Sequence, residues 1–136
     1  MKHNTKLEQL NCGINKLTLL DLSNNPEIYF LRCNDNKLSV LDLRKNPNIQ
    51  ELVCYNNELI TLNIQNRNNH ILYFMWTDNN KYLKCIQVDN IAFAKKISNG
   101  EFYKEKGDDH WVIDDGVYFS KDCYKELEKY NDEFEE

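Results

Sequence analysis

The chain has 136 residues, of which 41% are hydrophobic and 29% charged, and its formal net charge is −5. This length predicts one domain, and the negative charge without a basic stripe argues against a nucleic-acid partner, because a phosphate backbone would be repelled. No apolar run approaches the length of a membrane span. The first residues also lack the apolar stretch of a signal peptide.

A line of sequence recurs three times in the first half of the chain, shifted by 21 residues each time. The three copies occupy residues 7–17, 28–38 and 49–59. A fixed period of this length is typical of a solenoid, because each unit buries its apolar side only against the next unit. We therefore expect the chain to wind into stacked coils.

Each coil contains two short strand patterns of the form L-x-x-L-x-L/C-x-x-N. The central residues alternate inward and outward, as in a strand with one buried face. The Asn and Asn-Pro pairs that follow are turn formers. Two narrow parallel sheets are therefore expected on opposite sides of the solenoid, with a dry core between them.

Asparagine and cysteine recur at fixed positions of the repeat. The asparagines form a column of Asn15, Asn36, Asn57 and Asn79. A buried Asn side chain can bond backbone groups of its own and neighbouring coils, which predicts a structural role. The cysteines form a column of Cys12, Cys33 and Cys54. We expect free buried thiols, because parallel neighbours rarely point at each other as a disulfide requires and a linear column does not supply tetrahedral zinc ligands.

The fourth coil departs from the period. One extra residue is expected near residues 65–70, which makes 71–76 the next strand line. In this register Trp76 takes the position of the cysteines, while Tyr73 and Met75 point outward. Larger side chains are typical of a terminal repeat. The chain is therefore divided into a repeat array at residues 1–84 and a C-terminal cap with a short acidic tail at 85–136.

The densest group of ligand-type side chains lies in this cap. It consists of Asp108, Asp109, Asp114 and Asp115. Paired carboxylates suit a hard cation such as calcium, but the favoured interpretation is two solvated turns around a short Trp-Val-Ile strand. The remaining residues 121–136 have the composition of a frayed acidic helix.

No catalytic motif is evident. The serines lie outside a G-x-S-x-G context, the histidines share no neighbourhood with a plausible nucleophile and acid, and no glycine-rich phosphate loop is present. We expect a non-enzyme that holds no cofactor and no metal. A metal-dependent hydrolase built on the aspartate cluster is the last-ranked alternative.

The repeat resembles the bacterial leucine-rich repeat family, in its short nested class L-x-x-L-x-C-x-x-N-x-L-x-x-L-D-L-S-x-N-P of Bacteroidetes and flavobacterial type. The resemblance covers residues 7–83. Residues 83–89, Trp111 and residues 119–123 are similar to the segment that caps such arrays in exported proteins. The resemblance implies a mainly β leucine-rich repeat solenoid of about four 21-residue coils with short parallel strands, plus a small C-terminal cap.

The resemblance also bears on the last two cysteines and on location. It favours a disulfide between Cys85 and Cys123, which by loop closure would contribute about 3–4 kcal/mol, whereas a reducing compartment would prevent the bond. It implies an extracellular or cell-surface protein. Without a signal peptide, the alternatives are an intracellular protein or a chain that lacks the start of a longer exported one.

In a repeat array, function is expected at the outward strand positions. These positions are unusually aromatic and apolar on the cysteine-bearing sheet, and interfaces favour Tyr, Met and Arg. The predicted partner-binding residues are Phe30, Arg32, Val53, Tyr55, Tyr73 and Met75. The alternative is that these side chains only support the sheet or lie under the cap.

These patterns predict a non-catalytic protein-interaction module with a protein partner. A structural or adhesion fragment of a longer exported protein is the alternative. The first coil starts at Leu7 without a polar cap, so its apolar residues and strand edge are exposed to pairing. A homodimer through this open N-terminal coil is therefore a second hypothesis.

Overall fold

The computed structural model describes residues 3–99 and 110–125. Within these ranges the chain forms nine strands of three residues each, a short 3-10 helix at Asn69–Ile71 and an α-helix, α1, at Ile91–Ser98. The strands are β1 Gln9–Asn11, β2 Phe30–Arg32, β3 Val40–Asp42, β4 Glu51–Val53, β5 Thr61–Asn63, β6 Phe74–Trp76, β7 Cys85–Gln87, β8 His110–Val112 and β9 Tyr118–Ser120.

The strands belong to two parallel sheets. The five-stranded sheet has the order β1-β2-β4-β6-β8, and the four-stranded sheet has the order β3-β5-β7-β9. From β2 onward, each coil contributes one strand to each sheet. Each coil therefore stacks on the one before it in both sheets. The predicted mainly β solenoid with short parallel strands and a small C-terminal cap is confirmed, and the cap contains helix α1.

The core lies between the sheets and is filled by the central residue of each strand. The buried central residues are Leu31, Leu52, Met75 and Trp111 in one sheet and Leu41, Leu62, Ile86 and Phe119 in the other. Full burial of an aliphatic or aromatic side chain of this size contributes about 1.5–3 kcal/mol. Because no coil can bury these residues alone, the stacking is what stabilises the fold.

The asparagine column joins successive coils. Asn57 is buried, its Oδ1 accepts a hydrogen bond from Leu38 N at 3.0 Å, and its Nδ2 donates to Cys33 O at 3.0 Å and Cys54 O at 3.1 Å. One coil later the same role belongs to Asn80, whose Oδ1 accepts from Leu59 N at 3.1 Å and whose Nδ2 donates to Cys54 O at 3.2 Å. The prediction that Asn79 continues this column was wrong.

The error comes from the length of the loop before β6. Strand neighbours are 21 residues apart where Arg32 pairs with Asn11, but 23 apart where Trp76 pairs with Val53. Two residues are therefore inserted, in the loop that contains the 3-10 helix, and not one. As a result Met75 pairs with Leu52. The buried Thr77 takes the position that Cys54 has in the coil before.

The segment after residue 84 continues both sheets, with β7 beside β5, β8 beside β6 and β9 beside β7. Helix α1 begins after Asn90, whose Oδ1 accepts a hydrogen bond from Phe93 N at 3.0 Å. The predicted disulfide is confirmed: Cys85 of β7 is bonded to Cys123, which follows β9. The expected acidic helix at the chain end lies mostly outside the described residues, at 126–136.

Candidate functional site

The outer face of the five-stranded sheet carries a cluster of aromatic side chains over β4, β6 and β8. In parallel strands that stack in register, side chains at the same position lie about 4.8 Å apart. Phe74 of β6 lies next to His110 of β8 in this way, and their ring centroids are 5.4 Å apart. The one-residue alternation that buries Met75 turns Phe74 and Trp76 outward.

Four rings form one connected group, which we call the aromatic cluster: Tyr55, Phe74, Trp76 and His110. Trp76 is its central member, with ring centroids 5.5 Å from Tyr55 and 5.4 Å from Phe74. The planes of Tyr55 and Trp76 meet at 76°. Edge-to-face pairs of this kind contribute about 0.5–1.5 kcal/mol beyond their buried area, so the cluster is held in place by its own contacts.

A groove of about 380 Å³ opens beside the cluster. This aromatic groove is lined by Tyr55, Trp76, Asp78, His110 and Val112. Its volume falls within the range of small-ligand sites, which combine apolar walls with a few polar groups. Trp76 remains 38% exposed, so a ligand has direct access to its ring.

Asp78 contributes the carboxylate of the groove. It lies two residues after the end of β6 and precedes Asn79, whose φ of 58° turns the chain away from the sheet. Within the described part of the chain, the Asp78 side chain makes no hydrogen bond and no ion pair. The pKa of the buried Cys54 thiol is raised by burial first, then by the nearby Cys33, and to a smaller extent by the Asp78 carboxylate.

Two neighbouring carboxylates differ from Asp78 because they are already hydrogen-bonded. Asp114 accepts from the backbone N of Asn79 at 2.9 Å and of Asn80 at 3.1 Å. Asp35 accepts from the side-chain amides of Asn34 at 2.6 Å and Asn56 at 2.8 Å, and these bonds hold its pKa below the ordinary range. Asp114 and Asp35 therefore support turns, whereas the Asp78 carboxylate is available to a ligand.

Four of the six predicted partner-binding residues are at least partly accessible. Tyr55 forms a wall of the groove, and Tyr73 is 36% exposed and donates a hydrogen bond to Glu51 Oε1 at 2.9 Å. The exposed Arg32 lies over the half-buried Phe30, with its Cζ atom 5.7 Å from the ring centroid. This pair lies on β2, two strands away from Trp76.

Val53 and Met75 were wrong as surface residues. Met75 is 0% exposed because the two-residue insertion places it in the core opposite Leu52. Val53 occupies an outward strand position but is only 2% exposed, since it lies between Arg32 on β2 and Trp76 on β6. Neither side chain can contribute appreciable contact area to a partner.

Sequence reasoning missed five residues of this site: Phe74, Trp76, Asp78, His110 and Val112. A signal for the correct register was present, because aligning Asn80 with Asn57 places an apolar Met at the leucine position and turns Trp76 outward. No comparable signal placed His110 and Val112, since the segment before β8 has no repeat period. Their position beside Trp76 and Phe74 is a product of the strand pairing alone.

The aspartate cluster is only partly described. Asp108 and Asp109 lie outside the described residues, Asp114 is used in hydrogen bonds to a turn, and Asp115 is exposed. Over residues 3–99 and 110–125, no group of three or more His, Cys, Asp or Glu side chains is arranged to hold a metal ion.

The cysteine column consists of three free thiols: Cys12, Cys33 and Cys54. Burial raises the pKa of all three, most strongly for the two that are fully buried. A thiol with a raised pKa is a poor nucleophile, so this column packs the core, as the repeat pattern predicts.

A second cavity, of about 300 Å³, lies at the opposite end of the solenoid on the four-stranded side. Leu19 and Leu20 of the first coil and Val40 and Arg44 of the second are among its lining residues. By the 21-residue period residues 19–21 correspond to β3, but in the described structure they form no strand. The cavity is therefore a gap between two incompletely stacked coils.

None of the helices in the described ranges has the length and apolarity that crossing a membrane requires. No family model, curated protein or solved structure matches the chain.

Proposed function

We propose that this chain is a non-catalytic interaction module of the leucine-rich repeat type, which binds a partner protein through the aromatic cluster. The observation that carries this proposal is the connected group of rings around the exposed Trp76 on an open sheet face. Exposed aromatic groups of this kind are enriched in protein interfaces and depleted elsewhere on protein surfaces.

The position of the cluster supports a binding role over a packing role. Side chains that only support a narrow sheet are buried by their neighbours, as Val53 is. Trp76 has two ring contacts and still keeps more than a third of its surface exposed. A rigid, partly exposed Trp loses little conformational freedom on binding, which is why Trp is so common among binding hot spots.

The disulfide supports the proposed location. Bonds such as Cys85–Cys123 persist in oxidising compartments and are rare in the cytosol. We therefore propose an extracellular or cell-surface setting, where a repeat protein of this size would meet its partner.

The experiment compares two single variants in partner capture. The tagged chain recovers binding proteins from an extract of its source cells, and recovery is quantified by mass spectrometry. Trp76→Ser should lower recovery of the specific partner about tenfold or more, as loss of a hot-spot aromatic does. Tyr118→Ser is the matched control, because Tyr118 is an exposed aromatic residue on the four-stranded sheet.

Trp76→Ser also removes two ring contacts and should lower the thermal midpoint, but both variants should still unfold in one cooperative transition well above the assay temperature, which excludes unfolding as the cause. Equal recovery with the parent and Trp76→Ser would reject the proposal. A loss of recovery with both variants would also count against it, because binding would then not depend on the aromatic cluster.

The open N-terminal coil favours a second candidate, self-association of a structural or adhesion protein. Among the described strands, β1 pairs with β2 alone, and Ile14 and Leu19 are 79% and 73% exposed. A second copy would cover this edge. Light scattering across a concentration series tests the idea: Leu19→Lys should shift a dimer to monomer, and a parent that is monomeric throughout would reject it.

A further inference from the structure

We propose that the aromatic groove binds a cationic side chain, a lysine or arginine of the partner protein. In this assignment Tyr55 and Trp76 supply the aromatic walls and Asp78 supplies the opposite charge. The inference rests on the proposed function, since it names the chemistry that the partner presents to the same face.

The geometry of the two rings favours a compact cation over a flat ligand. Tyr55 and Trp76 line the same groove and their planes meet at 76°, so they form a corner. A sugar ring stacks best on one flat aromatic surface, and two rings at this angle cannot both lie parallel to it. An ammonium or guanidinium group can approach an aromatic face closely, and cages of several rings are the usual way to bind such cations.

The carboxylate of Asp78 points to the same chemistry. It lies in the lining of the groove, is only partly exposed, and has no hydrogen-bond or ion-pair partner among the described residues. A carboxylate without a protein partner is free to pair with an opposite charge that a ligand brings beside it. The neighbouring Asp114 carboxylate would gain less from a cation, because two backbone N–H groups already donate hydrogen bonds to it.

The surrounding charge would disfavour an anionic ligand. Among the described residues, none of the five that line the groove is a lysine or arginine. Arg32, the one such residue at the outward positions of the described strands of this sheet, lies over Phe30 on β2 and is separated from Trp76 by Val53. With a net charge of −5 on the whole chain, a positively charged partner is also favoured at long range.

The test is a chemical-shift titration of the 15N-labelled protein with short synthetic peptides that differ at one position, which is Lys, Arg, norleucine or Glu. The chain contains two tryptophans, and their indole N–H signals serve as reporter and internal control. Trp111 is buried and donates its indole N–H to Leu72 O at 2.7 Å, so its signal should stay fixed. The signal of Trp76 should shift with the Lys and Arg peptides.

Asp78→Asn should weaken binding of the Lys peptide by up to about fivefold, the range of a partly exposed ion pair. Trp76→Phe should weaken it by about 2- to 30-fold, the range of cation–aromatic contributions. Binding by the Trp76→Phe variant is followed through the backbone signals of Asp78 and Val112. Asp115→Asn is the charge-matched control, because Asp115 is an exposed carboxylate outside the groove, and it should leave affinity unchanged.

Three results would overturn the inference: equal shifts with the Lys, norleucine and Glu peptides, a shift of Trp76 only with added oligosaccharide such as maltotriose, or no shift with any peptide. Partner capture distinguishes its failure from failure of the proposed function. If Trp76→Ser abolishes capture but the groove does not select Lys or Arg, the groove chemistry is wrong and the binding face stands. If the groove selects Lys or Arg but no capture depends on Trp76, the proposed function fails.

Discussion

Leu10 and Met75 occupy the same central strand position in the first and fourth coils of the solenoid, yet Leu10 is half-buried and Met75 is fully buried. The first coil has the regular repeat letters, whereas the fourth has an altered loop and larger side chains. The fourth coil is nevertheless the better packed of the two. In a stacked array, burial is supplied by the neighbouring coils, so a consensus residue at the end is less buried than an unusual residue inside.

The N-terminal and C-terminal ends of the solenoid also differ in the contacts that stabilise them. In the first coil, the residues that correspond to β3 form no strand in the described structure, and they line a cavity together with residues of the second coil. Near the other end, the Cys85–Cys123 disulfide ties β7 to the segment after β9, and the indole of Trp111 is hydrogen-bonded inside the core. We infer that the chain unfolds first from its N-terminal coil and that the aromatic cluster lies on the more stable part.

The largest expected effect is at the C-terminal end of the solenoid, where the disulfide lies. Replacing both Cys85 and Cys123 by Ala should lower the free energy of unfolding by about 4 kcal/mol, because the unfolded chain is no longer constrained by a closed loop. Cys12→Ala is the control, since Cys12 is a half-buried free thiol of the first coil, and it should cost less than about 1 kcal/mol. Urea unfolding monitored by circular dichroism measures both.

Thiol counting checks the premise of this prediction. The denatured, unreduced parent should show three reactive thiols, from Cys12, Cys33 and Cys54. Five reactive thiols, or a double variant as stable as the parent, would mean that a Cys85–Cys123 disulfide does not stabilise the C-terminal end.

An intermediate effect compares the same position at the two ends. Met75→Ala removes a fully buried side chain and should destabilise the protein by about 3 kcal/mol. Leu10→Ala should cost about 1 kcal/mol, because Leu10 lies at the open end and the remaining cavity is filled by water. Similar losses in urea unfolding would contradict the comparison and indicate that the first coil is covered in solution, as by a second copy.

The smallest effect is a gain of stability in the first coil. At the turn after each of the first four strands of the five-stranded sheet, one residue has a left-handed backbone, namely Ile14, Asp35, Asn56 and Asn79, with φ between 54° and 58°. Asn and Asp tolerate this conformation, whereas a β-branched residue is strained in it. Ile14→Asn should therefore stabilise the protein by about 1 kcal/mol and raise its thermal midpoint by a few degrees.

The reverse substitution, Asn56→Ile, is the control and should destabilise the protein by at least the same amount. If Ile14→Asn lowered the thermal midpoint instead, the exposed Ile14 side chain would have to be making an apolar contact in solution. That outcome would favour self-association through the open coil.

The fold was largely predictable because the repeat depends on residue spacing and turn-forming residues that can be read directly from the sequence. The spacing of Leu31, Leu52 and Leu41 determines which side chains enter the core, and the turn asparagines and the cysteine column follow from the same period. The disulfide was anticipated only through the family resemblance, because spacing alone left a free pair of thiols open. Membership of the leucine-rich repeat family stays a prediction.

The sequence predicted the candidate site on the face that carries the aromatic cluster, but it placed two buried residues, Val53 and Met75, among the exposed ones. The error followed from the loop before β6, where hydrophobic periodicity stops: one inserted residue was predicted there, whereas the alignment of Asn80 with Asn57 requires two. A shift of one residue exchanges the two faces of a strand, so Met75 was placed outside and Trp76 inside. His110 and Val112 reach the site through pairing between strands that are far apart in sequence, which no local pattern records.

The amino-acid sequence by itself determined the coil, its turns and its buried column, because these depend on interactions that repeat every 21 residues. Only the tertiary structure decided where the aromatic cluster and the Asp78 carboxylate come together. Their proximity depends on the register after a two-residue insertion and on the pairing of β6 with β8. Both are chosen by the packing of the whole stack, since each strand takes the register that buries its apolar side against its neighbours.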